Sequence, residues 1–138
     1  MNLAVIGAGF VGLVTAAVFA DFGHKVWVVE IDEDKIKKLT AGKTPFYEPG
    51  LDKLIIKNFK AGQLRFTKKY QEAIGDAEII FVCVGTPNKN GKIDLSYLRS
   101  ATKSIAKNLQ KPAIIVIKST VPPGINKEIK KWMKKYTK

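Results

Sequence analysis

The chain of 138 residues is 46% apolar and carries a net charge of +12, from 24 basic and 12 acidic side chains. That length suits one domain with a buried core, and no apolar run approaches the roughly 18 residues that cross a bilayer, so no membrane span is expected. The charge invites a nucleic-acid partner. Only Arg65 and Arg99 are arginines, however, and the lysines fall on polar helix faces where solvation accounts for them, so no nucleic acid is expected either.

Met1-Asn2 leads straight into the apolar strand Leu3 to Ile6 without the basic region of a secretory leader, and a cytoplasmic location is the expectation. A glycine turn and a helix from Val11 to Phe22 follow, with Gly23 suited to the helix end. Val26 to Val29 is the second strand, ending at Glu30. Asp34 to Ala41 is the next helix, closed by Gly42, and Thr44 to Gly50 is a loop. Leu51 to Phe59 forms a helix with Leu51, Leu54, Ile55 and Phe59 on one side. Leu64 to Thr67 is the third strand, Tyr70 to Ile74 a short helix, and Ile79 to Val84 the fourth strand. Asn88 to Gly91 reads as a turn-rich loop, Leu95 to Leu109 as a helix and Ala113 to Lys118 as the fifth strand. A last helix begins near Gly124; its lysine-rich stretch, Lys127 to Lys138, carries Ile129, Trp132, Met133 and Tyr136 at helical spacing. Near-continuous apolar strands alternating with helices predict an α/β fold. The sheet is parallel and doubly wound, a Rossmann fold with five strands in the order 3-2-1-4-5.

The chemistry concentrates at Gly7-Ala8-Gly9-Phe10-Val11-Gly12. A bare G-x-G-x-x-G string is a weak signal, but this one follows a strand, opens a helix, and precedes a second strand that ends in an acid. Gly7 allows the tight turn, Gly9 lets the backbone approach a pyrophosphate, and Gly12 lets helix and strand pack closely. The helix N-terminus adds unpaired N–H groups for the phosphates. Glu30 can accept hydrogen bonds from both adenosine ribose hydroxyls and would repel a 2′-phosphate, which selects NAD over NADP. Asp32 reads as a helix cap. Lys35 either reaches back to the ribose or stands in solvent.

Gly85-Thr86-Pro87 and Ser119-Thr120-Val121-Pro122 end the fourth and fifth strands, beside the switch in strand order where such sheets bind ligands. The hydroxyls of Thr86 and Thr120 either face that crevice or serve as ordinary strand-end caps. His24, the single histidine, lies in a turn at the opposite edge of the sheet. Cys83, the single cysteine, sits in an apolar run and reads as a small hydrophobe without metal-ligand partners. Neither a catalytic base or nucleophile nor a metal site is therefore expected.

Taken together, Gly7 to Leu13, Pro45-Phe46-Tyr47-Glu48-Pro49-Gly50-Leu51, Phe81 to Pro87 and Lys118-Ser119-Thr120-Val121-Pro122-Pro123-Gly124 resemble the nucleotide-sugar 6-dehydrogenases. This is the UDP-glucose/GDP-mannose dehydrogenase family, and the likeness is to its N-terminal NAD-binding domain. The resemblance implies a two-step oxidation of a sugar CH2OH to a carboxylate with two NAD, UDP-glucose to UDP-glucuronate being the leading case. It implies Val11 at the pyrophosphate turn, Glu30 and Lys35 at the adenosine ribose, Val84, Gly85 and Thr86 alongside the cofactor, and Thr120 toward the nicotinamide. The family often has Asp where Glu30 stands. Its catalytic cysteine, in a later Gly-Ser-Cys-Phe-Pro-Lys type segment, has no counterpart here, since Cys83 lies in another motif. Residues 1 to 138 are then a single dinucleotide-binding domain that binds NAD without turnover. The nucleotide sugar engages domains absent from this chain, and the full-length enzyme is a homodimer. A free-standing NAD-sensing module of the potassium-transport type is the alternative, and it would not be expected to carry the Glu-Pro-Gly-Leu and Ser-Thr-Val-Pro segments together.

Overall fold

A computed structural model describes residues 1–137, with Lys138, the end of the lysine-rich stretch, outside the described residues. Five parallel strands form the sheet: β1 (Asn2–Ile6), β2 (Lys25–Val29), β3 (Leu64–Thr67), β4 (Ile79–Val82) and β7 (Ile114–Ile117). Their spatial order is β3-β2-β1-β4-β7, the expected one, with Ile6 beside Val29 on one flank and Val82 on the other. Helices α1 (Phe10–Asp21), α2 (Glu33–Thr40), α3 (Leu51–Lys60), α4 (Tyr70–Ile74) and α5 (Ser96–Asn108) lie between them, and α6 (Ile125–Lys134) follows β7. No helix among the described residues is long and apolar enough to cross a membrane.

The side chains alternate across the sheet as a strand period of two requires. Leu3 and Val5 of β1, with Val26 and Val28 of β2, pack under α1 and α3 around Leu13, Ala16 and Ile55. Ala4, Ile6, Val29, Ile80 and Val82 face the other layer, against Ile74, Leu98, Ile105 and Ile129. Both faces are thus covered, which is why these strands read as near-continuous apolar runs.

Two expectations change. The segment read as the loop Asn88 to Gly91 is a small antiparallel hairpin, β5 (Asn88–Lys89) and β6 (Lys92–Ile93). Its turn residues Asn90 and Gly91 both have positive φ, 52° and 76°, the geometry a two-residue hairpin prefers. The fourth strand ends at Val82 rather than Val84. The apolar pattern continues, but β1 has no residue after Ile6 to pair with, and the last bond between them runs from Cys83 N–H to the Ile6 carbonyl. The parting of β1 and β4 there opens the crevice.

Asp32 does cap α2: its carboxylate accepts from the N–H groups of Asp34 at 3.0 Å and Lys35 at 3.1 Å. Asp32→Ala leaves both donors without this partner, and chemical denaturation is expected to show a loss of about 1 kcal/mol. An unchanged midpoint would assign the cap no energetic role.

Candidate functional site

A cleft of about 520 Å³ lies at the carboxyl ends of β1, β2 and β4. Its floor is the glycine turn between β1 and α1. Gly7 has φ +102°, and a Cβ there would lie 2.7 Å from the Cys83 carbonyl oxygen. At Gly12 a Cβ would lie 1.9 Å from the carbonyl oxygen of Gly7, so α1 and the turn approach one another only because no side chain intervenes. A Cβ at Gly9 would meet nothing within 4 Å, so that side of its backbone is open to a ligand. No side chain caps the first turn of α1, so its N–H groups and positive dipole end remain available to an anion.

Glu30 supplies the charge. It is 7% exposed and uses the length of its side chain to fold the carboxylate back across the turn. Oε1 accepts from the N–H of Ile31 at 2.8 Å and of Asp32 at 3.1 Å, and Oε2 from the N–H of Ala8 at 3.0 Å. The ammonium of Lys35 stands 3.7 Å from Oε2 and also borders the cleft. A carboxylate has about four acceptor positions; three are engaged here, leaving Oε2 room for one further donor. Glu30 therefore both fixes the turn and presents negative charge to the cleft.

Tyr70, at the start of α4, borders the same space. Burial, with the nearby charge of Glu30, pushes its phenol up to about 12, so it stays a neutral O–H donor. The opposite wall is α5, through Tyr97, Ser100, Ala101 and Ser104. Sequence reasoning missed Tyr70 and this wall, although the α5 residues lie at i, i+3, i+4 and i+7 and so share one helix face.

Of the residues singled out from the sequence, Gly7, Gly9, Glu30, Lys35, Val84 and Gly85 border the cleft. Gly12 packs beneath it. Phe10 and Val11 sit on the first turn of α1 at its rim, 59% and 49% exposed, and the Phe10 ring stacks on Phe46 at 3.9 Å between centroids. Thr86 and Thr120 are not among the lining residues. The Thr86 hydroxyl donates to the Thr120 carbonyl at 2.8 Å, joining the loop after β4 to the loop after β7. The Ser119 hydroxyl donates to the Val84 carbonyl at 2.7 Å, a strand-end role.

Cys83 is buried on the cleft floor. Desolvation pushes its thiol up to about 11 despite the opposing pull of Lys118, so at neutral pH it is no nucleophile. His24 immediately precedes β2, its Nδ1 3.5 Å from the N-terminal amine, at the end of the sheet away from the cleft. No group of three or more His, Cys, Asp or Glu that could hold a metal occurs among the described residues. The arrangement, an open glycine turn and helix N-terminus beside a buried carboxylate, can bind an anionic dinucleotide.

Comparison with known proteins agrees with this geometry. Residues 1–138 match the profile of the UDP-glucose/GDP-mannose dehydrogenase family, NAD binding domain. A UDP-glucose 6-dehydrogenase of Rhizobium meliloti is 45% identical over 133 residues, covering 95% of this chain and 30% of its own length. Among solved structures, a ternary complex of GDP-mannose dehydrogenase from Pseudomonas aeruginosa superposes with a TM-score of 0.94 at 32% identity, over 99% of this chain and 33% of that one. A UDP-D-ManNAc dehydrogenase from Pyrococcus horikoshii gives 0.93, also at 32% identity, over 99% and 32%.

Proposed function

The chain belongs to the UDP-glucose/GDP-mannose dehydrogenase family, as its NAD-binding domain, and from that premise we propose that residues 1–138 hold NAD while the whole enzyme oxidises a nucleotide sugar. UDP-glucose, taken to UDP-glucuronate with two NAD, is the leading substrate, because the matched relative of Rhizobium meliloti carries that name at 45% identity. The chain spans about a third of the relatives it matches, and the sugar-binding and cysteine-bearing parts are assigned to the remainder. The whole enzyme acts as a homodimer in the cytoplasm. The family match replaces the alternative of a free-standing sensor of the potassium-transport type.

The observation that carries the cofactor assignment is the buried Glu30 carboxylate beside a glycine turn whose Gly9 backbone is open. In this reading Gly7, Gly9, Phe10, Val11 and Gly12 form the pyrophosphate turn, with the N–H groups of the first turn of α1 on the phosphates. Glu30 and Lys35 take the adenosine ribose: Oε2 accepts from a hydroxyl, and the ammonium, 3.7 Å from Oε2, lies within reach of the other. Val84 and Gly85 border the cofactor, and Thr86, the next residue, fixes the loops after β4 and β7 at its nicotinamide end through its bond to Thr120. NAD bound there supplies the hydride acceptor; this chain's residues position it and exclude its phosphorylated analogue.

Calorimetric titration tests the assignment. NAD binds with an affinity at least about tenfold above that for NADP, the scale of one charge repulsion within a partly buried site. Equal affinities contradict the role of Glu30. NAD with UDP-glucose and this chain alone gives no NADH absorbance, and measurable turnover contradicts the assignment of catalysis to the remainder of the enzyme.

A further inference from the structure

The geometry points to a second ligand site: the cleft between α5 and α6 binds a nucleoside polyphosphate with its phosphates on Arg99 and Lys103. The cleft has a volume of about 620 Å³ and is walled by Arg99, Ser100 and Lys103 on one side and Trp132 and Tyr136 on the other. Small-molecule sites occupy roughly 300–1,000 Å³, and a lone phosphate would leave most of this one empty.

Its charge distribution is unusual even in so basic a chain. Arg99, Lys103 and Lys107 stand four residues apart along α5, a spacing at which like charges repel. They face two aromatic rings also four apart. The Arg99 guanidinium lies 5.6 Å from the Trp132 ring centre. The ammonium groups of Lys103, Lys107 and Lys135 lie 5.1, 5.9 and 5.9 Å from the single ring of Tyr136. None of these four cations forms an ion pair among the described residues, where the ion pairs use other lysines. The Tyr136 ring attracts these ammonium groups through its quadrupole but carries no counter-charge, so their positive charge stays uncompensated there.

A cleft lined by one sign of charge against apolar walls concentrates its field, and an anion there relieves the repulsion. Phosphate suits the donors: a guanidinium fork takes two phosphate oxygens and an ammonium serves as a point charge. The Ser96 and Ser100 hydroxyls add neutral donors, and Ser100 borders the cofactor cleft as well. Occupancy here therefore bears on the helix that walls the cofactor, although the site stands independently of the cofactor reading.

Titration of the chain with ATP, in saturating NAD to keep ATP out of the first cleft, tests this. The expected result is saturable one-to-one binding that quenches Trp132 fluorescence and weakens as salt is raised. In the double variant Arg99→Gln/Lys103→Gln the ATP affinity falls at least about tenfold, while NAD affinity stays within about twofold. The exchange Arg99→Lys/Lys103→Arg, which keeps both charges, retains ATP binding. Absence of saturable binding, competition of ATP with NAD, or unchanged ATP affinity in the glutamine variant would each overturn the proposal. A glutamine variant that melts earlier but binds ATP as before would reduce the cation ridge to a staple between helices.

Discussion

Gly12→Ala is expected to abolish NAD binding and to destabilise the fold by about 3 kcal/mol, the upper range for inserting a methyl group into a packed site. The added Cβ would stand 1.9 Å from the Gly7 carbonyl oxygen. The turn cannot retreat, because Gly7 itself is wedged against the Cys83 carbonyl at a φ of +102°. Relief must come from lifting α1 off the sheet, which disturbs Leu13 and Ala16 in the core. Gly9→Ala is the contrast. Its Cβ meets nothing within 4 Å, so the melting temperature stays near that of the parent while NAD affinity falls at least about tenfold through obstruction of the pyrophosphate. Thermal unfolding and calorimetry on the two variants separate packing from binding. Equal NAD affinity in Gly9→Ala and the parent would remove the pyrophosphate from this turn.

The second large effect belongs to Glu30. Glu30→Ala leaves the N–H groups of Ala8, Ile31 and Asp32 without their acceptor and frees Lys35 from its counter-charge. Unsatisfied buried donors cost about 1–3 kcal/mol each when no water replaces the partner. Two of these bonds are only partly buried, so the expected loss is about 2–3 kcal/mol, together with a slackened glycine turn. The diagnostic readout is selectivity: NAD affinity falls, NADP affinity rises toward Lys35, and the ratio approaches one. Glu30→Asp keeps the charge but shortens the arm, so it retains the preference for NAD while losing part of the turn's stability. A Glu30→Ala variant that still strongly prefers NAD would show that discrimination resides elsewhere in the cleft.

The sheet order was legible because burial on both faces writes long apolar strands into the sequence, and crossover handedness leaves few ways to arrange them. The hairpin β5–β6 was not legible: Asn88, Lys89 and Lys92 are polar, and two-residue strands are too short to display a period. The end of β4 was overestimated for a different reason. Composition continues through Cys83 and Val84, whereas pairing stops where β1 stops.

At the site, the packing of the glycine turn and the position of Glu30 beside the cleft were readable because they depend on backbone conformation and on strand ends, which motif spacing preserves. The second use of Glu30, holding Ala8 and Ile31, depends on side-chain length and rotamer and leaves no sequence signature. Tyr70 and the α5 wall depend on how α4 and α5 dock on the sheet, a tertiary property. The expected hydroxyls of Thr86 and Thr120 have a definite structural place, tied to one another through a side chain and a carbonyl. Their bearing on the cofactor belongs to the proposal.

A crystal structure of the chain grown with NAD tests the central claim most directly. The account predicts the pyrophosphate against the N–H groups of Phe10 and Val11, and an adenosine ribose hydroxyl within about 3.2 Å of Glu30 Oε2. A dinucleotide bound with its ribose away from Glu30, or with its phosphates in the Arg99–Tyr136 cleft, would contradict it.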